Sequence, residues 1–240
     1  QLNRNMKVMD TVKPIGITES APGVYILDMG QNMVGWLRMK VKGQSGDTLK
    51  LRFAELLQKD GSIYTANLRT AHSADINILK GNSMEEWQPT FTYHGFRFVE
   101  LMGFREKPSL SDFEGQVIYD EMETTGNLET SDPMINRIYK NAYWGIRGNY
   151  RGMPTDCPQR DERMGWLGDR AVGSQGESYI FNNHLLYAKW LDDIEQAQKE
   201  NGAVPDVAPN YWDVCTDNMT WPGAYLIIAN MLYDQFGDKQ

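Results

Sequence analysis

Leu37-Arg38-Met39-Lys40-Val41-Lys42 alternates apolar and charged side chains over six residues, and this alternation decides the class of the first half of the chain. Successive side chains of a strand point to opposite faces, so a period of two puts Leu37, Met39 and Val41 on one face and the three cations on the other. Leu49-Lys50-Leu51-Arg52-Phe53 repeats the pattern. A strand that is apolar on one face and polar on the other belongs to an antiparallel sheet with a solvated side. The intervening residues 43–47 carry turn chemistry, with Gly43, Gly46 and Asp47. Residues 23–29, 75–79, 96–102 and 116–119 read as further strands. Short strands at this spacing predict an antiparallel β-sandwich over residues 1–125.

The pattern changes near Gly126, which sets the expected domain boundary. Ser131-Asp132-Pro133 is a helix start, with a capping side chain and a proline in the first turn. Ile135, Ile138 and Ala142 then share a face. Leu186, Trp190 and Ile194 form a second stripe, and Ile228, Leu232 and Phe236 a third, which Gly237 closes as a C-terminal cap. So few helices make either a small bundle or the first part of a larger helical domain over residues 126–240.

Composition narrows the function classes. The chain has 240 residues, 41% hydrophobic and 23% charged, with a net charge of -8. Phosphate contacts need a basic surface, so nucleic acid is not the expected partner. The 7 tryptophans and 12 tyrosines suit carbohydrate binding, and equally an aromatic-rich β protein. Cys157 and Cys215 are too few for a disulfide framework. His72, His94 and His184 are scattered, so they read as structural, and neither a metal site nor a cofactor is expected. The longest apolar run, Ala224 to Ile228, is far too short to span a membrane. The chain opens at Gln1 without an initiator methionine, so it reads as part of a longer protein.

Residues 156–170 hold the chemistry. Asp156-Cys157-Pro158-Gln159-Arg160-Asp161-Glu162-Arg163-Met164-Gly165-Trp166-Leu167-Gly168-Asp169-Arg170 packs four carboxylates, three arginines and a tryptophan into fifteen positions. It follows neither helical nor strand period. Carboxylates among arginines beside an aromatic plane suit sugar cleavage. One acid donates a proton, others hold hydroxyls, and the ring covers an apolar sugar face. Glu162 has a carboxylate neighbour, Asp161, and two arginine neighbours, Arg160 and Arg163, which shift acidity in opposite directions. A helix starting at Glu162 would bring Trp166 to the same face one turn later. A surface ion-pair network is the plainer reading of so many charges, and Asp156 serves equally well as a helix cap. Glu177, Asp213 and Asp217 are candidates for a second catalytic carboxylate.

The same motif closely resembles the signature of the α-L-rhamnosidases of glycoside hydrolase family 78. Collinear stretches extend the resemblance: Asp28-Met29-Gly30-Gln31-Asn32 with Gly35-Trp36, Ala54-Glu55-Leu56, Asn67-Leu68-Arg69, and Phe91 to Arg97. Asp132-Pro133 with Asn136-Arg137-Ile138-Tyr139, and Val204 to Pro209, continue it. The resemblance implies a β-sandwich followed by the first helices of an (α/α)6 barrel. It implies an inverting hydrolase that removes terminal α-L-rhamnose from a rhamnose-containing glycoside or plant-type polysaccharide. On it, Glu162 matches the general acid. Asp156 and Asp169 match hydroxyl-binding aspartates, Arg160 a motif arginine near the acid, with Asp161 beside it in the substrate site. Trp166 and Trp221 match tryptophans lining the sugar pocket. Two departures stand out: Gly168-Asp169-Arg170-Ala171 where many relatives have Gly-Asp-Ala-Gln, and Trp221-Pro222-Gly223-Ala224 where many have Trp-Gly-Asp-Ala. The second puts one polar contact of the family in doubt. The family's general base is a glutamate much later in the barrel, beyond residue 240, so the segment alone is expected to be inactive. A periplasmic or secreted enzyme is the favoured setting, with a cytoplasmic one as the alternative. A non-catalytic carbohydrate-binding protein, and a glycosidase of the same barrel type with another sugar specificity, are the competing functions.

Overall fold

A computed structural model describes residues 3–81, 83–216 and 218–239. The chain divides into two compact units. One comprises residues 8–118 together with 158–161. The other comprises residues 1–7, 119–157 and 162–240.

The first unit is the expected β-sandwich. Its strands are β1 (Met6–Val12), β2 (Gly16–Ala21), β3 (Val24–Val41), β4 (Thr48–Ala54), β5 (Leu56–Leu57), β6 (Ile63–Tyr64), β7 (Ala74–Ile78), β8 (Glu85–Trp87), β9 (His94–Met102) and β10 (Phe113–Asp120). The main sheet runs β1-β10-β3-β9-β4-β7, with β2 and β8 also on β3, and β5 and β6 pair separately. The period-two reading holds residue by residue. Leu37, Met39 and Val41 are buried while Lys40 and Lys42 face solvent, and Leu49, Leu51 and Phe53 repeat this on β4.

The sequence suggested two strands where the structure has one long β3. The strand's register against β9 breaks between Asp28 and Met33. Gly30 sits in this break at φ 72°, and its N–H donates to Asp28 Oδ1 at 2.7 Å. Arg97 on β9 grips the same carboxylate with two bonds of 2.8 and 2.9 Å, which holds Asp28 below its usual pKa. β1 and β2 were not foreseen because most of their side chains are exposed and give no apolar alternation. His94 is a structural histidine, as expected: it stacks on Phe53 at 4.1 Å and meets Asp75 at 2.9 Å.

The second unit carries α1 (Pro133–Arg147), α2 (Leu167–Ala171), α3 (Ser174–Ser178), α4 (His184–Ala197) and α5 (Ala224–Phe236). Asp132 caps α1 by accepting from Met134 N–H at 2.7 Å. Trp190 and Ile194 of α4 pack with Ile228 and Leu232 of α5 in one core that also takes Tyr187 of α4 and Leu167 and Ala171 of α2, and Leu186 of the expected stripe is buried as well. Gly237 ends α5 in the left-handed region at φ 68°. The stripe on α1 differs from expectation: Ile135 and Ile138 are 44% and 60% exposed, and the buried residue of that helix is Arg147. Its guanidinium lies over the Trp144 and Tyr143 rings at 3.6 and 4.7 Å. Periodicity identified the helix but not the face that packs.

Gly35 tests the sandwich. A Cβ there would lie 1.8 Å from the Gln116 carbonyl oxygen on β10. Gly35→Ala should therefore lower stability by about 1–3 kcal/mol in urea unfolding, as overpacking does. Gly16→Ala, with nothing within 4 Å of its added methyl, should change it by less than ~0.5 kcal/mol. Equal effects of the two substitutions would contradict the strand pairing described.

Candidate active site

The motif is not helical until its end. Residues 155–165 are loop, and α2 begins at Leu167. The helix suggested from Glu162 is absent, yet Glu162 and Trp166 still meet: the indole Nε1–H donates to Glu162 Oε1 at 2.9 Å. The ring therefore presents its polar edge to the acid, not the flat apolar face that helical spacing implied.

Two backbone anchors fix this geometry. Asp156 closes the loop on itself, its N–H donating to the Met164 carbonyl at 2.9 Å and its Oδ1 accepting from Met164 N–H at 2.6 Å. Asp156 thus caps a loop rather than a helix. Beyond it, Ala208 N–H donates to the Gly165 carbonyl at 3.0 Å, and Leu167 N–H to the Asp206 carbonyl at 2.9 Å. A Cβ on Gly165 would stand 2.1 Å from the Ala208 oxygen, so only glycine permits this approach. Gly168 has the same duty toward Trp221, whose ring atom Cδ2 would lie 2.6 Å from an added Cβ.

The acidic residues gather as follows. One ligand atom each of Asp156, Cys157 and Glu162 lie within 4.8 Å of one another. That is the one group of three metal-type donors among the described residues, and it is one ligand short of a closed tetrahedral zinc site. Asp169, on the first turn of α2, has its pKa raised, first by partial desolvation and then by the Asp156 carboxylate, with Glu162 adding to the effect and Arg170 opposing it. Asp156, Glu162 and Asp169 therefore share one electrostatic environment.

Arg160 and Asp161 belong instead to the β unit. Asp161 accepts from both the N–H and the hydroxyl of Thr70, which lowers its pKa. Gly95 leaves room for residues 158–159, since a Cβ would stand 2.9 Å from that of Gln159. Glu55 accepts from Asn32 at 2.9 Å and Asn67 at 3.3 Å. The glutamate and asparagines quoted from the β half are therefore linked to one another.

The candidate second carboxylates have other partners. Glu177 on α3 is buried, meets Arg170 at 2.6 Å, and accepts from the hydroxyls of Tyr150 and Tyr187, both at 2.6 Å. Asp213 is exposed and bound to Lys199 at 3.0 Å. Asp217 lies outside the described residues. Sequence reasoning passed over Asp206 and Trp212. Asp206 is buried and accepts from Thr216 at 2.6 Å and Asn218 at 3.1 Å. Trp212 stands edge-to-face with Trp166, ring centroids 6.3 Å apart. The aspartates within one short stretch gave no sign of which one is buried.

Comparisons with known proteins agree on one family. Residues 123–240 match the bacterial α-L-rhamnosidase six-hairpin glycosidase domain, and residues 18–119 the bacterial α-L-rhamnosidase concanavalin-like domain. An α-L-rhamnosidase of Streptomyces avermitilis is 44% identical over 224 residues, which is 93% of this chain and 22% of that protein. One from Formosa agariphila is 40% identical over 89% of this chain and 23% of its own length. Among solved structures, the Streptomyces avermitilis α-L-rhamnosidase complexed with L-rhamnose superposes with a TM-score of 0.97 at 42% identity, covering 99% of this chain and 23% of that one. The α-L-rhamnosidase from Dictyoglumus thermophilum gives 0.96 at 42%, covering 98% and 27%. The chain thus spans about a quarter of the length of these relatives.

Asp169 makes a pH prediction. A carboxyl whose pKa is raised on folding binds its proton more tightly in the folded chain. Its stability contribution is full below the ordinary value of 3.8 and falls as pH rises through the folded value. Asp169→Asn should therefore be more stable than the parent at pH 7, with a gap that narrows as the pH is lowered toward 4, in thermal melts. A variant less stable at pH 7 would contradict the clustering.

Proposed function

The chain belongs to the bacterial α-L-rhamnosidases, and we propose that the protein carrying it removes terminal, non-reducing α-L-rhamnose from glycosides or polysaccharides with inversion at the anomeric carbon. The observation that carries this reading is the Glu162 carboxylate, fixed by the Trp166 indole N–H with Asp156 beside it.

Glu162 is the general acid. Its Oε1 is held by Trp166 and its protonated carboxyl delivers a proton to the glycosidic oxygen as the bond to the anomeric carbon breaks. Asp156 and Asp169 accept hydrogen bonds from sugar hydroxyls. Arg160 and Asp161 are assigned to substrate binding on the motif resemblance alone. Trp166 and Trp221 flank the ring, with Gly168 giving Trp221 its place. An inverting reaction needs a second carboxylate about 6.5–9.5 Å from the acid, to activate water on the opposite face. Glu177 is committed to Arg170 and two tyrosines, and Asp213 to Lys199. We assign the base to a glutamate outside residues 1–240, so these residues alone should be inactive. We also propose that the domain division lies near Gly126.

The full-length protein should release rhamnose from an aryl α-L-rhamnoside and leave other aryl glycosides intact. Proton NMR of the first product should show β-L-rhamnose, which then mutarotates. Initial α-L-rhamnose would overturn inversion, and release of a different sugar alone would overturn the substrate.

A further inference from the structure

We propose that Asp206 is a positioning residue of the sugar site, fixing Trp221 relative to Trp166 by way of Asn218. This rests on the rhamnose-cleaving reading, in which both tryptophans line the rhamnose ring. It goes beyond that reading by giving a role to a buried acid that touches no substrate.

Asp206 is 3% exposed, and its backbone is bonded to the segment that carries Trp166. Its carbonyl accepts from Leu167 N–H at 2.9 Å, its N–H donates to the Val214 carbonyl at 2.8 Å, and the next residue, Val207, bridges Trp166. Its carboxylate serves a different segment. Oδ2 accepts from the Thr216 hydroxyl at 2.6 Å, and Oδ1 from the Asn218 amide at 3.1 Å. The same amide donates to the Thr216 hydroxyl, so the three side chains close a ring of bonds. Asn218 Oδ1 then accepts from Trp221 N–H at 2.8 Å. One buried residue is thus tied to the segments of both tryptophans.

The acid sets the direction of this relay. Both of its oxygens accept, so it faces the nitrogen of the Asn218 amide and leaves the amide oxygen for Trp221 N–H. An asparagine at 206 can present either a donor or an acceptor and does not select that orientation. Trp221 packs on the helical core, and its ring lies so close to Gly168 that a Cβ there would stand 2.6 Å from Cδ2. Gly168 directly precedes Asp169, the carboxylate assigned to the sugar hydroxyls, so a shift of the ring is felt where rhamnose is held.

The test compares Asp206→Asn and Asn218→Ala, singly and together, with the parent in the full-length protein. Each single change should raise KM for an aryl α-L-rhamnoside and Ki for free rhamnose about five- to tenfold, the worth of one or two hydrogen bonds, with kcat within about twofold. α-L-Rhamnosyl fluoride should show the same rise in KM, because the rhamnose ring is common to both substrates. The double variant should be no worse than the poorer single one, since both changes cut one relay. Asn218 is partly exposed, so Asn218→Ala decides the matter by itself if Asp206→Asn does not fold. Losses that add in the double variant, a fall in kcat with KM and Ki unchanged, or no change in any constant would each overturn the assignment. A parent that releases no rhamnose from either substrate would instead overturn the function on which it rests.

Discussion

Two backbone hydrogen bonds, Ala208 N–H to the Gly165 carbonyl and Leu167 N–H to the Asp206 carbonyl, hold the site together. They pair Trp166 with Val207 in an isolated bridge between two segments that are otherwise loop. Each segment is then tied to the helical core. Trp190 of α4, fully buried, donates its indole N–H to the Ala208 carbonyl at 2.8 Å, and Leu167 enters the same core at the start of α2. A loop gains the positional accuracy of a helix packing when its backbone is bonded this way. The direction of the Trp166 side chain, and through it that of the Glu162 carboxylate, follows.

Next to the carboxylate cluster lies a buried polar network. Arg170 is one residue past Asp169 and turns inward to Glu177, which Tyr150 and Tyr187 also serve. Burial and the Glu177 charge raise both tyrosine pKa values well above the usual range, so the hydroxyls stay protonated and donate. Removing one partner of such a buried ion pair typically costs about 3–5 kcal/mol, because the other charge is stranded. Arg170 is thus paired with a buried carboxylate inside the fold.

Much of this was legible in the sequence. Period-two alternation set the faces of β3 and β4, and Asp132-Pro133 and Gly237 marked helix ends, because those signals come from local backbone sterics and capping. Edge strands β1 and β2 were silent, since exposed side chains carry no pattern. The α1 stripe misled because periodicity reports an amphipathic face without naming its partner. Within the motif, the absence of either period already indicated a loop, which residues 155–165 form; only the conditional helix from Glu162 is not there. The contact to Trp166 forms across a loop whose shape depends on Asp156 and on residues 206–208, some forty positions away. Trp212 gave no local signal, as its contact with Trp166 joins residues far apart in the chain.

The central claim is that Glu162, held by Trp166, is the proton donor. The most direct measurement is the leaving-group dependence of kcat/KM for Glu162→Gln against the parent, across rhamnosides whose leaving groups span a wide range of acidity. Rhamnosyl fluoride, whose departure needs no proton, should be cleaved at nearly the parent rate, while the deficit grows steadily as the leaving group becomes less acidic. A uniform deficit across the series, or undiminished cleavage of the least acidic rhamnosides, would contradict the account.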